Sequence, residues 1–138
     1  MIVSTKGRYA LRVMVCFAQR GGEVYIPLKE IAEAEGISQK YLESIMTTLS
    51  KAGFVDAVHG KGGGYRLNRP PEEYTVGSVL KLTEGSLAAV SCTSQGASAC
   101  SRTECCQAKP MWDRLEKMID DFFEGITIAD LLKDNSQE

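Results

Sequence analysis

The stretch from residue 28 to residue 67 constrains this chain most. LKEIAEAE at 28–35 reads as a short helix, and Gly36 closes it. Ser38 then has the chemistry of a helix N-cap, a side-chain oxygen that accepts from backbone N–H groups further on. Tyr41, Leu42, Ile45, Met46 and Leu49 follow as an apolar stripe, and Gly53 stands where a helix ends in a left-handed residue. Helix, glycine-containing turn and helix over 28–52 is helix-turn-helix spacing. Phe54-Val55 and Tyr65-Arg66-Leu67 come next and read as two strands around a glycine-rich tip, His59 to Gly64. A hairpin directly after a helix-turn-helix is a wing. The expected fold is mainly α, a winged helix-turn-helix.

The flanks extend this pattern. Tyr9, Val13, Met14 and Phe17 mark an amphipathic first helix over 5–19, ended by Gly21-Gly22, and Val24-Tyr25-Ile26 reads as extended. Thr75 begins a helix through Leu82. Residues 84–108 have no periodicity and carry cysteines. Pro110 opens the longest helix, as proline at a first helical position often does. Met111, Trp112, Leu115, Met118, Ile119, Phe122 and Phe123 line one side of it, and Gly125 stops it. Thr127 and Asp130 make a capping-box-like start for a last short helix.

At 138 residues the chain is about one domain's worth. It has no run of 18 apolar residues, so no membrane span is expected. The N-terminus is too charged within its apolar stretch for a secretory signal, and the expected location is cytoplasmic. Net charge is −2, but it is unevenly spread. Residues 1–70 carry ten Lys and Arg against six Asp and Glu; residues 71–138 carry six against twelve. A basic half beside an acidic half suggests that the basic half meets a polyanion.

A recognition helix buries one face and offers the other to the major groove of double-stranded DNA. Opposite the stripe lie Ser38, Gln39, Lys40, Glu43 and Ser44, with Thr47 further along. Lys40 can neutralise a phosphate, and Ser and Gln can bond base edges. Glu43 is the odd member: either it accepts from cytosine N4 and rejects other sequences, or it is solvated or paired with a lysine. His59, Gly60 and Lys61 form a cationic wing tip suited to phosphate or minor-groove contact. GKGGG lacks P-loop spacing and follows a helix, so a nucleotide site is set aside. Lys6 and Arg8 on the first helix can add phosphate contacts; Arg12 reads better as solvated.

Four of the five cysteines fall within fifteen residues, as Cys92, Cys100, Cys105 and Cys106. In a cytosolic chain such a cluster points to a metal or redox site rather than disulfides. Thiolates select zinc, copper(I) or iron–sulfur clusters. The C-x₇-C-x₄-C-C spacing lacks the paired C-x₂₋₄-C ligands of zinc ribbons, which favours an iron–sulfur cluster. Cys105 and Cys106 are adjacent, so one is a ligand and the other a fourth ligand or a spare. Cys16, in the first helix, reads as a buried small hydrophobe. With one His, in an exposed loop, no nucleophile–base pair is available, and neither an enzyme nor a small-molecule substrate is expected.

At this point the chain resembles a known family, the IscR-like iron–sulfur cluster regulators among small winged-helix repressors. The matching pieces are STKGRYALRVM at 4–14, ISQKYLESIMTTLSKAGFV at 37–55, HGKGGGYRL at 59–67, TVGSVLKLTEG at 75–85, the spaced cysteines and the helix near Trp112. The resemblance covers nearly the whole chain. It implies a homodimer joined through the long C-terminal helix, and a [2Fe–2S] or in some relatives a [4Fe–4S] cluster held by three cysteines and one further ligand. By position these are Cys92, Cys100 and Cys106, with Cys105 in question. It also implies DNA recognition by Ser38, Gln39, Lys40, Tyr41 and Glu43, aided by His59 and Lys61. Two departures stand out. Lys109 occupies the place of a ligating His, and His59 occupies a wing position where Arg is common.

These readings divide the chain into a DNA-binding region, 1–72, and a region of cluster loop and dimerisation helices, 73–138. The expected function is a DNA-binding transcription regulator whose DNA preference responds to an iron–sulfur cluster and which controls cluster-assembly genes. The alternatives are a nitric oxide- or redox-sensing regulator of the same fold and, more remotely, a zinc-stapled regulator or an electron-transfer protein.

Overall fold

A computed structural model describes residues 3–90 and 106–136, with side chains up to Lys133. The elements are α1 (Thr5–Gln19), α2 (Leu28–Glu35), α3 (Gln39–Lys51), β1 (Val55–Val58), β2 (Gly64–Leu67), a 3-10 turn (Pro71–Glu73), α4 (Val76–Glu84), α5 (Lys109–Glu124) and α6 (Ile128–Ser136). Side-chain caps explain where four of the six helices begin. Ser4 accepts from the Gly7 amide, Ser38 from the Tyr41 amide and Thr75 from the Ser78 amide. Thr127 and Asp130 cap each other reciprocally, at 2.9 and 3.1 Å. Each cap satisfies an amide that has no partner within its helix.

The helix-turn-helix is as expected, with Gly36 in the left-handed conformation at φ 66 between α2 and α3. The wing differs in detail. Its strands pair in register from Val55↔Leu67 to Val58↔Gly64, so β1 begins after Phe54. Of Val24–Ile26, Ile26 alone pairs, through an isolated bridge to Tyr65. Two of the wing glycines are fixed by packing. A Cβ on Gly63 would lie 2.2 Å from the Val58 carbonyl oxygen, and one on Gly64 would lie 2.3 Å from that of Ile26. Both are required by the hairpin's own packing. α5 begins at Lys109, with Pro110 in the first turn, where the missing N–H costs nothing. Gly125 ends it at φ −84 rather than in a left-handed turn.

The core gathers Val13, Met14 and Phe17 of α1, Ile31 of α2, and Leu42, Ile45, Met46 and Leu49 of α3. It continues past residue 72, because Tyr74, Val79 and Ile128 belong to the same cluster. Tyr74 is the largest fully buried side chain. Its hydroxyl donates to the Phe54 carbonyl at 2.7 Å and accepts from the Asn68 amide at 3.2 Å, tying the wing's two ends together. Burial pushes its pKa up. A second cluster, Val76, Leu80 and Leu87, receives Ile119 and Phe123 and seats α5 on α4. Among the described residues no helix is long and apolar enough to cross a membrane.

Candidate nucleic-acid interface

α3 is held by its apolar face, since Leu42, Ile45, Met46 and Leu49 are fully buried. Its other face is bare: Ser38, Gln39, Lys40, Glu43, Ser44 and Thr47 are all exposed. Ser38 uses an oxygen lone pair for its cap, which leaves its O–H proton available to a base or phosphate. Among the described residues no ion pair engages Lys40, Lys61 or Glu43, so the structure gives Glu43 no lysine partner. Tyr41 sits at the border, half-buried, with its ring edge-on to Tyr9 at 5.8 Å.

α1 meets α3 on the same side of the molecule. Lys6 donates from Nζ to Thr48 Oγ1 at 3.1 Å, which sets its ammonium beside the recognition helix. Arg8 is exposed and bonds Thr5 Oγ1 at 3.2 Å. Arg12 is not merely solvated. It pairs with Glu35 at 3.2 Å and lies 5.2 Å from the centre of the Tyr9 ring, joining α1 to α2.

At the wing, His59, Gly60 and Lys61 are exposed at the tip. Two arginines at its base carried no sequence signal as site residues. Arg66 stacks over Tyr25 at 4.5 Å and pairs across the strands with Asp56 at 3.7 Å. Arg69 lies over Phe54 and Tyr74, each at 5.2 Å, and donates to the Gly53 carbonyl at 3.0 Å. Arg69 braces the wing against the end of α3, and Arg66 ties it to the segment before α2 through Tyr25 and the Glu23 carbonyl. Their roles depend on aromatic neighbours distant in sequence.

Of the cysteines, Cys92, Cys100 and Cys105 lie outside the described residues. Cys106 is half-exposed, free of any disulfide, and lies three residues before α5, where its carbonyl accepts from Lys109 N at 3.3 Å. Cys16 is buried in α1, as expected, and burial pushes its thiol pKa up. Lys109 Nζ bonds Asp113 along α5 at 2.7 Å.

α5 is amphipathic in an unusual way for its context. Its charged face carries the i,i+4 pairs Lys109–Asp113 and Lys117–Asp121. Its apolar face is only partly covered: Ile119 and Phe123 reach α4, while Met111, Met118 and Phe122 are 53–66% exposed.

A bare polar face on α3 lies beside the cationic start of α1, and a braced wing follows it in the chain. A family model described as Rrf2, iron-dependent transcriptional regulator, matches residues 3–134. The chain belongs to the Rrf2 family. Within the Rrf2 regulators it is 38% identical over 135 residues to the HTH-type transcriptional regulator IscR of Aliivibrio salmonicida, covering 98% of this chain and 79% of that one. Among solved structures it is similar to T. potens IscR, with a TM-score of 0.77 and 36% identity over 98% of this chain and 88% of that one. It is also similar to CymR, the global cysteine regulator of B. subtilis, with a TM-score of 0.77 and 30% identity over 95% of each chain. The Rrf2 chain described here is therefore a DNA-binding transcription regulator with the winged-helix fold that its sequence predicts, and its relatives are transcriptional regulators.

Proposed function

We propose that the protein acts as a homodimer on a double-stranded DNA operator, and that an iron–sulfur cluster held by its cysteines sets its DNA preference. In this reading α3 enters the major groove. Ser38, Gln39, Lys40, Glu43 and Ser44 face bases and phosphates, with Tyr41 packed at the edge of that face. His59, Gly60 and Lys61 follow the backbone from the wing, and Lys6 and Arg8 add phosphate contacts. Glu43, unpaired and exposed, penalises sequences that place no cytosine amine opposite it. The half-covered face of α5 supports the dimer, because Met111, Met118 and Phe122 are apolar groups that a second copy of α5 would shield from water.

The donor set fits a cluster. Thiols at 92, 100 and 106 are soft ligands for iron, with Cys105 the fourth ligand or a spare. The resemblance and the thiol set favour [2Fe–2S], and regulation of cluster-assembly genes as the output. A cluster bound there supplies iron–thiolate bonds that tether the segment between α4 and α5. Cys106, whose carbonyl bonds the first residue of α5, would join that tether to the helix. α4 packs on α1, and α1 touches α3, so a tethered segment favours one placement of the DNA-reading elements over another. Differential stability of the two states is what allows loading to alter affinity.

The observation that carries this reading is the bare polar face of α3, next to a wing and on a chain whose segment between α4 and α5 carries four thiols. Anaerobic purification, with the visible spectrum and the iron, sulfide and zinc contents, tests it. Brown protein with comparable iron and sulfide is expected, and its affinity for operator DNA should differ from that of cluster-free protein. Colourless protein with one zinc per chain would sink the cluster mechanism. A second reading, redox or nitric oxide sensing through thiols, is favoured by the half-exposed free Cys106 beside Cys105. It predicts that peroxide or nitric oxide changes DNA binding in a Cys105→Ser-sensitive way.

A further inference from the structure

The end of α4 is fastened to the start of α1 by a contact that the readings above do not use. Glu84 Oε1 accepts from the Ser4 amide at 3.1 Å and from the Ser4 hydroxyl at 2.5 Å. The same Ser4 Oγ caps α1 by accepting from the Gly7 amide at 3.2 Å. The fit is close: a Cβ on Gly7 would lie 2.4 Å from Glu84 Oε1 and 3.2 Å from Leu80 Cδ2. A carboxylate at a helix N-terminus also interacts favourably with the helix dipole.

Two residues along the backbone from Ser4, in the first turn of α1, Lys6 donates to Thr48 Oγ1 on the recognition helix at 3.1 Å. Thr48 Oγ1 in turn donates to the Ser44 carbonyl at 3.2 Å, beneath the exposed face of α3. In the other direction, Glu84 is the last residue of α4, and the segment leading to Cys92 starts at the next residue. Glu84 is thus bonded to the start of α1, and in the chain it directly precedes the segment that leads to the cysteines.

We propose that Glu84 is a positioning residue for DNA binding. By holding Ser4 it fixes the first turn of α1, and with it the placement of Lys6 beside α3. It also passes the state of the cysteine segment to that surface; this second part rests on the cluster reading given above. The hydrogen bonds are the operative feature, so an amide at position 84 should serve where a methyl does not.

The test uses the full chain, cluster-loaded and cluster-free, and a duplex selected from a random library by the wild-type protein. Affinity is read by fluorescence anisotropy, and thermal midpoints are measured alongside. Glu84→Ala should weaken binding of the better-binding form by about tenfold, within the usual range of coupling between sites. The ratio of affinities between the two forms should fall toward one. Glu84→Gln should retain most of both. Ser4→Ala, which removes the partner hydroxyl, should reproduce the loss of ratio if Glu84→Ala proves poorly folded. Unchanged affinities in Glu84→Ala would overturn the proposal, and so would equal losses in both forms accompanied by a lower thermal midpoint. If the wild-type forms bind alike, the cluster reading fails. The Glu84 proposal then stands or falls on the variant's affinity alone.

Discussion

α3 and α5 are both amphipathic helices, of 13 and 16 residues, and their apolar faces meet opposite fates. On α3 the stripe is covered from Leu42 onward: Leu42, Ile45, Met46 and Leu49 are each 0% exposed. On α5 no residue is buried, and Phe122 remains 62% exposed. The two stripes look alike in sequence. One is enclosed by neighbouring elements of the chain, whereas among the described residues the other packs along one flank on α4. An amphipathic pattern therefore specifies that a face will be covered, but not whether the chain itself or another copy covers it. The polar faces differ as well. That of α5 closes on itself through i,i+4 ion pairs, while that of α3 leaves Lys40 and Glu43 open to a ligand.

The strongest way to break this comparison is to charge the α5 stripe. A Met118→Asp/Phe122→Asp double variant should raise the dimer dissociation constant by at least about a thousandfold, roughly 4 kcal/mol. Analytical ultracentrifugation would read this, and thermal unfolding of the monomer should change little. A variant that stays dimeric would mean that the seam lies elsewhere. On the other side of the comparison, Leu42→Ala opens a cavity in a closed core and should cost about 3 kcal/mol in urea unfolding. Met118→Ala, at an exposed position, should stay within about 0.5 kcal/mol when measured on the monomeric background.

The polar faces yield smaller effects. Lys61→Ala should weaken binding evenly across sequences and reduce the salt slope of binding by about 1. Gln39→Ala should instead change which sequences bind, by about 1–3 kcal/mol at one base pair if it reads a base. Matching effects from the two substitutions would mean that wing and recognition helix do not divide the work as proposed. The smallest effect concerns the joint between α5 and α6. The Thr127 amide and hydroxyl hold the Asp130 carboxyl below its ordinary pKa of 3.8. A depressed carboxyl contributes stability that is present above that ordinary value and is lost as pH falls through the folded one. Asp130→Ala should therefore lower the thermal midpoint at neutral pH and make no difference in acid below that range. A penalty that persists in acid would assign the effect to packing rather than to the cap.

Much of the DNA-reading half was legible because its signals are local. Gly36, the Ser38 cap and the stripe from Tyr41 to Leu49 each constrain a few consecutive residues, and the helices form where those signals place them. Thr127 and Asp130 are legible for the same reason. The wing is legible as a hairpin, but the reason that Gly63 and Gly64 must be glycines is not. Gly63 and Gly64 are excluded from bearing a Cβ by the carbonyls of Val58 and Ile26, and the second of these comes from far up the chain. Arg12 was read as solvated because its partners, Glu35 and the Tyr9 ring, converge only on folding.

The sequence alone thus determined where the helices start and stop, which faces are apolar, and that a thiol cluster accompanies a DNA-binding motif. Those properties follow from backbone caps and residue spacing, which act over a few residues. Only the tertiary structure decided that Arg69 braces the wing on Phe54 and Tyr74, that Lys6 reaches Thr48, and that Glu84 fastens α4 to α1. Such contacts join residues up to 80 positions apart, and no local periodicity encodes which distant side chains will meet. Packing decides it, because the core brings those helix ends within hydrogen-bonding reach.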